Sequence, residues 1–542
     1  MSFKPFDNTR RFVDYADDGQ LGRRTVRNAG VTVFAQASVF AIQLLSAAVL
    51  ARLLTPSDFG LVTMVTTFSL LLASFGRAGF TEAVLQTDTL TESQTSNLFW
   101  INLGGALVLS IAFGAAGSLL ARFYSNPHIT RVAIGFSVVI FLSIAPVIHL
   151  ALLKRAMLFG QSSVLDIVCR IAYVIVAIAC AAYGWGYWAL VAAYVAQPLI
   201  NCVGAWLLCP WMPKFPQGER GTGKMVNYAM SVYGRFTLNY FTGNTDNLLV
   251  GWRFGAVSLG IYKKAYDLFI LPSCQLLAPI LAVVVTTLSR KNKDLNEYKR
   301  YFLTGLGIVA FLGMAMSASL TLTGKDLVRC LLGSQWGESG KIFTFFAPGI
   351  GLMLVYQTTS WIHLSMGTTA RWLRWTVIEL AVTGMLFLVG MKWGPVGVAG
   401  AWTTSYCVLI VPGFLYALKP LNFSITLILS STWRYAVAAL VAAFACARVL
   451  KYMPMPPHLA INGLGGAIVR IVAYNALFGL LYLLLIVALF GSMEPLRQFG
   501  RLMPDLLPKI SFLRRGKKNK VQHFSPKNGE PEIAEIGLDN TP

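Results

Sequence analysis

The sequence predicts an all-α polytopic membrane protein. About fourteen transmembrane helices are expected, as two pseudo-repeated six-helix lobes around a central cavity plus two C-terminal helices. Three observations carry this. Apolar runs long enough to cross a bilayer, which takes about 20 residues, recur from Ala29 to Phe490. Only 13% of the 542 residues are charged against 56% hydrophobic, and the mean hydropathy is +0.61, which excludes an ordinary soluble chain. Basic residues gather in alternate connections between the runs. The runs are too long for the strands of an outer-membrane barrel.

In chain order, a polar leader occupies 1–26 and is expected to be disordered or to lie on the membrane surface. The first run behind it is too long for the core of a secretion signal. Spans follow near 27–53, 59–80, 97–121, 131–152, 162–183 and 187–209, the N-terminal six-helix lobe over 27–209. A cytoplasmic linker covers 210–224. The C-terminal six-helix lobe over 225–418 has spans near 225–253, 257–289, 301–323, 341–366, 372–392 and 396–418. Two additional helices fill 432–490, and a basic, partly disordered cytoplasmic tail covers 491–542.

Connections at 154–155, 214–224, 290–300, 371–374 and 419–434 are rich in Lys and Arg, whereas 183–187 and 392–395 are poorer. That bias places both termini in the cytoplasm. It also accounts for the net charge of +22 without nucleic acid as a partner. The connection expected at 81–96 departs from the pattern with Glu82, Asp88 and Glu92, but acidic residues count little in the rule. The eight cysteines form no CxxC pair and the five histidines have no ligand spacing, so no metal or other cofactor is expected. The longest outer connection, expected near 324–340, has Asp326 and Glu338 but no acidic cluster. No connection is long enough to house a catalytic domain.

Intramembrane charge marks the site. In the span from Met225 to Arg253, Arg235, Asn239, Thr242 and Asp246 recur at helical spacing, and Tyr228 and Ser231 extend the stripe. A break at Gly255-Ala256 leads to a helix with Lys263, Lys264 and Asp267. An ionised group at mid-bilayer costs about 3 kcal/mol or more, so such residues normally face a bundle interior or a wet cavity. Lys263 and Asp267 are spaced to pair, as are Asp166 and Arg170, and Lys264 is the freer cation. Arg235, Lys264, Lys263, Asn239, Arg77 and Arg170 are the candidate substrate contacts. Glu379, Asp246 and Asp267 are candidates for ion coupling. His149 and His363 read as satisfied interior histidines.

A faint repeat relates Val49–Leu61 to Leu249–Ile261 at an offset of 200. Each copy is a helix end, a short break, a Gly and a new apolar helix, and each follows a polar-striped span. Repeated lobes with a site between them are a transporter architecture.

Five stretches stand in a recognisable order: Ala51-Arg-Leu-Leu-Thr-Pro-Ser-Asp-Phe-Gly60; Ala83-Val-Leu-Gln86 with Thr91-Glu-Ser-Gln94 and Phe99-Trp-Ile-Asn102; Gly260-Ile-Tyr-Lys-Lys-Ala-Tyr-Asp-Leu268 leading to Leu288-Ser-Arg290; Leu332-Gly-Ser-Gln-Trp336; and Trp393-Gly-Pro-Val-Gly397. Together they resemble the Wzx-type oligosaccharide flippases, or polysaccharide transporters, in the colanic-acid-exporter-like branch of the multidrug/oligosaccharidyl-lipid/polysaccharide exporter superfamily. The resemblance implies an inner-membrane protein that moves an oligosaccharide on undecaprenyl pyrophosphate to the periplasmic leaflet by alternating access. It implies lipid-linked substrate and membrane lipids as partners, with polysaccharide polymerase and chain-length machinery as further ones. Arg77 stands where the family would have a small or acidic residue. Two alternatives remain: a related exporter of drugs or of the peptidoglycan lipid precursor, and a membrane enzyme such as a polysaccharide polymerase, ligase or glycosyltransferase.

Overall fold

A computed structural model describes residues 3–13, 21–219, 221–452, 463–493 and 497. Its contacts separate a unit over Met1–Pro495, the helix bundle, from one over Leu496–Pro542. The expected tail, 491–542, lies outside the described residues except for 491–493 and 497.

Among the described residues the chain is helical, with no strand. The first half comprises α1 (Leu21–Leu53), α2 (Pro56–Ala73), α3 (Phe75–Gln86), α4 (Glu92–Phe123), α5 (His128–Ile144), α6 (Val147–Arg155), α7 (Phe159–Ala182) and α8 (Tyr187–Leu208). The second comprises α9 (Thr222–Thr242), α10 (Thr245–Pro272), α11 (Ala278–Arg290), α12 (Leu295–Leu332), α13 (Gly337–Gln357), α14 (Thr359–Ser365), α15 (Thr369–Gly390) and α16 (Gly394–Leu418). Two more helices, α17 (Ile425–Tyr452) and α18 (Leu464–Phe490), pack on α12 and on each other. Among the described residues, ten helical segments are long and apolar enough to cross a membrane, by length and composition. Neither α9 nor α10 is among them, since they carry Arg235, Asp246, Lys263, Lys264 and Asp267.

The first reversal is written in local chemistry. The Thr55 side chain accepts from Asp58 N, the Asp58 carboxylate accepts from Thr55 N at 2.9 Å, and Pro56 opens α2. One turn later α2 crosses α10 backbone to backbone. A Cβ on Gly60 would lie 1.7 Å from the Ala256 carbonyl oxygen, and one on Gly260 would lie 1.9 Å from that of Pro56. Only glycine fits either position. The contact reads identically in both directions at the offset of 200, as on a two-fold axis. The faint sequence repeat is therefore a pseudo-two-fold crossing. Beside it, at Gly333 (φ 102°), α12 turns back into α13. There Trp336 Nε1 donates to Ala51 O at 2.7 Å, and Gln335 Nε2 donates to the same carbonyl.

Several expectations are corrected. Residues 3–13 of the leader form a small hairpin docked on the α3–α4 turn: Phe12 N donates to Leu90 O and Glu92 N to Arg10 O, each at 2.9 Å. The connection expected at 81–96 is only the turn between α3 and α4, because Glu82 lies in α3 and Glu92 opens α4. The outer connection expected at 324–340 shrinks to Gly333 and a 3-10 turn, Ser334–Trp336, because α12 runs on to Leu332. The linker at 210–224 is strapped to α4: Asn97 Nδ2 donates to Gln217 O (2.7 Å), Trp100 Nε1 to Lys214 O (2.8 Å), and Lys214 pairs with Glu92 at 2.6 Å. Lastly, the stripe from Arg235 to Asp246 is not continuous. Helix α9 ends at Thr242, Gly243 and Asn244 break it, and α10 starts at Thr245.

Candidate functional site

A cavity of about 850 Å3 is walled by α1, the α2–α3 rod, the α5–α6 rod, α7 and α8, with Tyr240 of α9 and Cys274 on its far side. Helical periodicity selects its lining. Ser162, Asp166 and Arg170 come from α7, one turn apart, and Tyr194, Gln197 and Asn201 from α8. Arg77 and Thr81 come from α3, Ser143 from α5, Lys154 from α6 and Gln43 from α1. On α7, Arg170 lies about 12 Å along the helix from Ser162, two turns further from the α6–α7 corner where Lys154 stands.

Three cations, Arg77, Lys154 and Arg170, face this space against one carboxylate, Asp166, which is within electrostatic reach of all three. Asp166 and Arg170 do not form the ion pair their spacing predicts. The Arg170 guanidinium lies over the Tyr173 ring at 5.7 Å instead, and its buried Nε has no partner among the described residues. Asn201 Oδ1 and Ser162 Oγ are likewise buried and unpartnered. Such groups are costly to leave unsatisfied, and they line the space where a polar ligand would satisfy them. The wall offers cations, hydroxyls, amides and the phenols of Tyr194 and Tyr240.

The other expected residues lie elsewhere. Lys263 and Asp267 do pair, at 2.8 Å, and Tyr194 of the cavity wall is within electrostatic reach of both. Lys264 turns to α2, its Nζ 3.7 Å from the centre of the Phe59 ring. Arg235 and Asn239 are exposed on α9 and are not among the lining residues. Asp246 is fully buried in the second half: the Tyr262 hydroxyl donates to it at 2.7 Å and Trp402 Nε1 at 2.9 Å. Glu379 lies beside Tyr356, whose hydroxyl accepts from Trp375 Nε1 at 2.7 Å. His149 and His363 are buried and partnered by Trp211 O and Thr368 Oγ1.

Sequence reasoning missed Lys154, Gln197 and Asn201. Lys154 was hidden by its neighbour Arg155, because a Lys-Arg pair at a helix end reads as a topology signal. In fact Arg155 alone is structural, donating to Val84 O (2.5 Å), Thr87 O (2.6 Å) and Asp88 O (3.0 Å) at the end of α3. Gln197 and Asn201 do carry a signal, spaced one turn apart in an otherwise apolar span.

The chain is similar to several known proteins. It is 21% identical to the succinoglycan biosynthesis transport protein ExoT of Rhizobium meliloti, over 84% of this chain and 92% of that one. It is 24% identical to the teichuronic acid biosynthesis protein TuaB of Bacillus subtilis, over 65% and 73%. It is 19% identical to the lipopolysaccharide biosynthesis protein WzxC of Escherichia coli, over 59% and 65%. Among solved structures, its fold matches the lipid II flippase MurJ in an inward closed conformation with a TM-score of 0.69 and 13% identity, over 85% of this chain and 99% of that one. An inward-facing multidrug resistance MATE family transporter of the MOP superfamily matches with a TM-score of 0.53 and 14% identity, over 70% and 94%. Residues 49–341, more than half the sequence, match the family model described as polysaccharide biosynthesis protein, and the chain belongs to that family.

Proposed function

We propose that this protein is a flippase for a lipid-linked oligosaccharide, carrying the polar head through the cavity while the lipid stays in the membrane. The observation that carries the reading is the cavity wall, three cations against one carboxylate among hydroxyls and amides. Such a head, with its sugars and a dianionic pyrophosphate, needs a wet route with fixed positive charge, and guanidinium forks suit phosphate oxygens. A relative named as a succinoglycan biosynthesis transport protein and a fold shared with transporters support transport and not enzymatic chemistry.

The lipid requires a side opening, and the pseudo-symmetry indicates one. Helix α3 packs closely on α9, where a Cβ on Gly79 would lie 2.5 Å from Ala229 O. The counterparts at the offset of 200 are α11 and α1, which make no comparably close contact among the described residues. We place the lateral opening there. Asp246, Asp267 and Glu379 remain the candidates for coupling to an ion, and the cytoplasmic location of both termini and the inner membrane remain part of the proposal.

The test is flipping in proteoliposomes of a fluorescent oligosaccharide on polyisoprenyl pyrophosphate, followed by quencher access. The expected result is protein-dependent movement with the pyrophosphate and glycosidic bonds intact. Preferential movement of a cationic drug, or cleavage that tracks with the protein, would overturn the reading.

A further inference from the structure

A second cavity of about 510 Å3 lies at the opposite face from Lys154, where α1 and α12 end and α18 begins. Its wall contains Arg52, Arg329, Ser334 and Gln335, with Leu332 and Leu464 on the apolar side. The nearby carboxylate, Asp326, is already taken: Arg470 grips it through Nη2 at 2.6 Å and Nε at 3.0 Å. Arg52 spends one N–H on Cys330 O at 3.2 Å and keeps its others. Arg329 is exposed, and its guanidinium makes no hydrogen bond or ion pair among the described residues. Two guanidiniums thus share a pocket with no counter-charge among its described lining residues, an arrangement that a ligand with several anionic oxygens would relieve. Leu464, Ile468 and Val472, exposed at successive turns of α18, continue the pocket as an apolar stripe. A free ion would leave that stripe unused, whereas an acyl or prenyl chain would follow it.

We propose that this pocket is a second phosphate site, distinct from the transport cavity, for the head group of a membrane amphiphile. Two sources share that chemistry: an anionic phospholipid, or the pyrophosphate of a lipid-linked substrate that has completed its passage. The second source rests on the flippase reading and the first does not.

Full-length protein in phosphatidylcholine nanodiscs would be titrated with phosphatidylglycerol in one arm and undecaprenyl pyrophosphate in the other, with retained lipid counted by native mass spectrometry. Wild type should hold an equivalent that R52Q/R329Q binds at least about tenfold more weakly, the loss of one charge-assisted bond. R77Q/R170Q, which disables the transport cavity, should keep that equivalent, so failure of the two readings is distinguishable. Arg329→Gln alone should also weaken it with no change in Tm, because it removes no bond within the described protein. Weakening in either arm supports the site and identifies the source. Wild-type stoichiometry and affinity in both arms for R52Q/R329Q would overturn it.

Discussion

Charge inside a membrane is legible in a sequence, but which cavity it faces is not. The i,i+4 spacing correctly pairs Lys263 with Asp267, yet the same spacing misleads for Asp166 and Arg170. Spacing makes an ion pair available, and competing partners decide whether it forms; here Tyr173 takes the guanidinium. Arg235 is a different case: Gly243-Asn244 is a helix-stop signal, and the stripe read through it runs over two separate helices. The cavity therefore ranks Arg77 and Arg170 ahead of Arg235. Arg77→Gln and Arg170→Gln should each remove a charge-assisted bond worth about 1.5–3 kcal/mol, or about ten- to a hundredfold in apparent substrate affinity. Arg235→Gln should cost less than either. Flipping rates against substrate concentration, normalised to membrane abundance, decide the ranking, and a larger loss for Arg235→Gln would restore the continuous-stripe expectation.

At the scale of elements, three of the stretches that carried the family resemblance fasten joints. One makes the α1–α2 cap and the Gly60 crossing, another straps the linker to α4 through Glu92 and Trp100, and Leu332–Trp336 fastens the α12 corner to the end of α1. Their order was readable because turn and cap residues are local chemistry. Their partners were not, since Gln217 and Asn97 are joined only by the fold. Gly260→Ala should be disproportionately costly for one methyl, because the obstruction is a backbone oxygen that cannot change rotamer. Overpacking of this kind costs about 1–3 kcal/mol, to be seen as a lower melting temperature in detergent and lower accumulation. The same Gly→Ala change at Gly307, which meets nothing within reach, should be silent or mildly stabilising. Asn97→Ala tests the strap separately. It should speed tryptic cleavage after Lys214 without lowering the melting temperature as far as Gly260→Ala does, and unchanged cleavage would mean that Asn97 does not hold the linker.

For the whole molecule, composition and run length made the helical membrane fold plain, while its orientation rests on a charge bias that the structure complicates. Cations expected to act as topology signals have structural work as well: Arg155 caps α3, Lys214 pairs with Glu92, and Arg371 Nη2 donates to Tyr416 O at 2.8 Å. These groups share one face because each is bonded to partners at the same helix ends. If orientation comes from their sum, as the positive-inside rule holds, removing one should weaken the fold locally and leave the topology intact. Single-cysteine labelling in whole cells can separate the two roles, once the native cysteines, all free, are replaced. Cysteine at Gln217 or Lys293 should resist an impermeant thiol reagent until the cells are opened, and cysteine at Tyr183 or Ser334 should react at once. Adding Arg155→Gln should lower abundance, because three carbonyls at the end of α3 lose their donor. It should not change which positions react. Immediate labelling at Gln217 and Lys293, with protection at Tyr183 and Ser334, would reverse the orientation and place Lys154 and the α6–α7 corner outside.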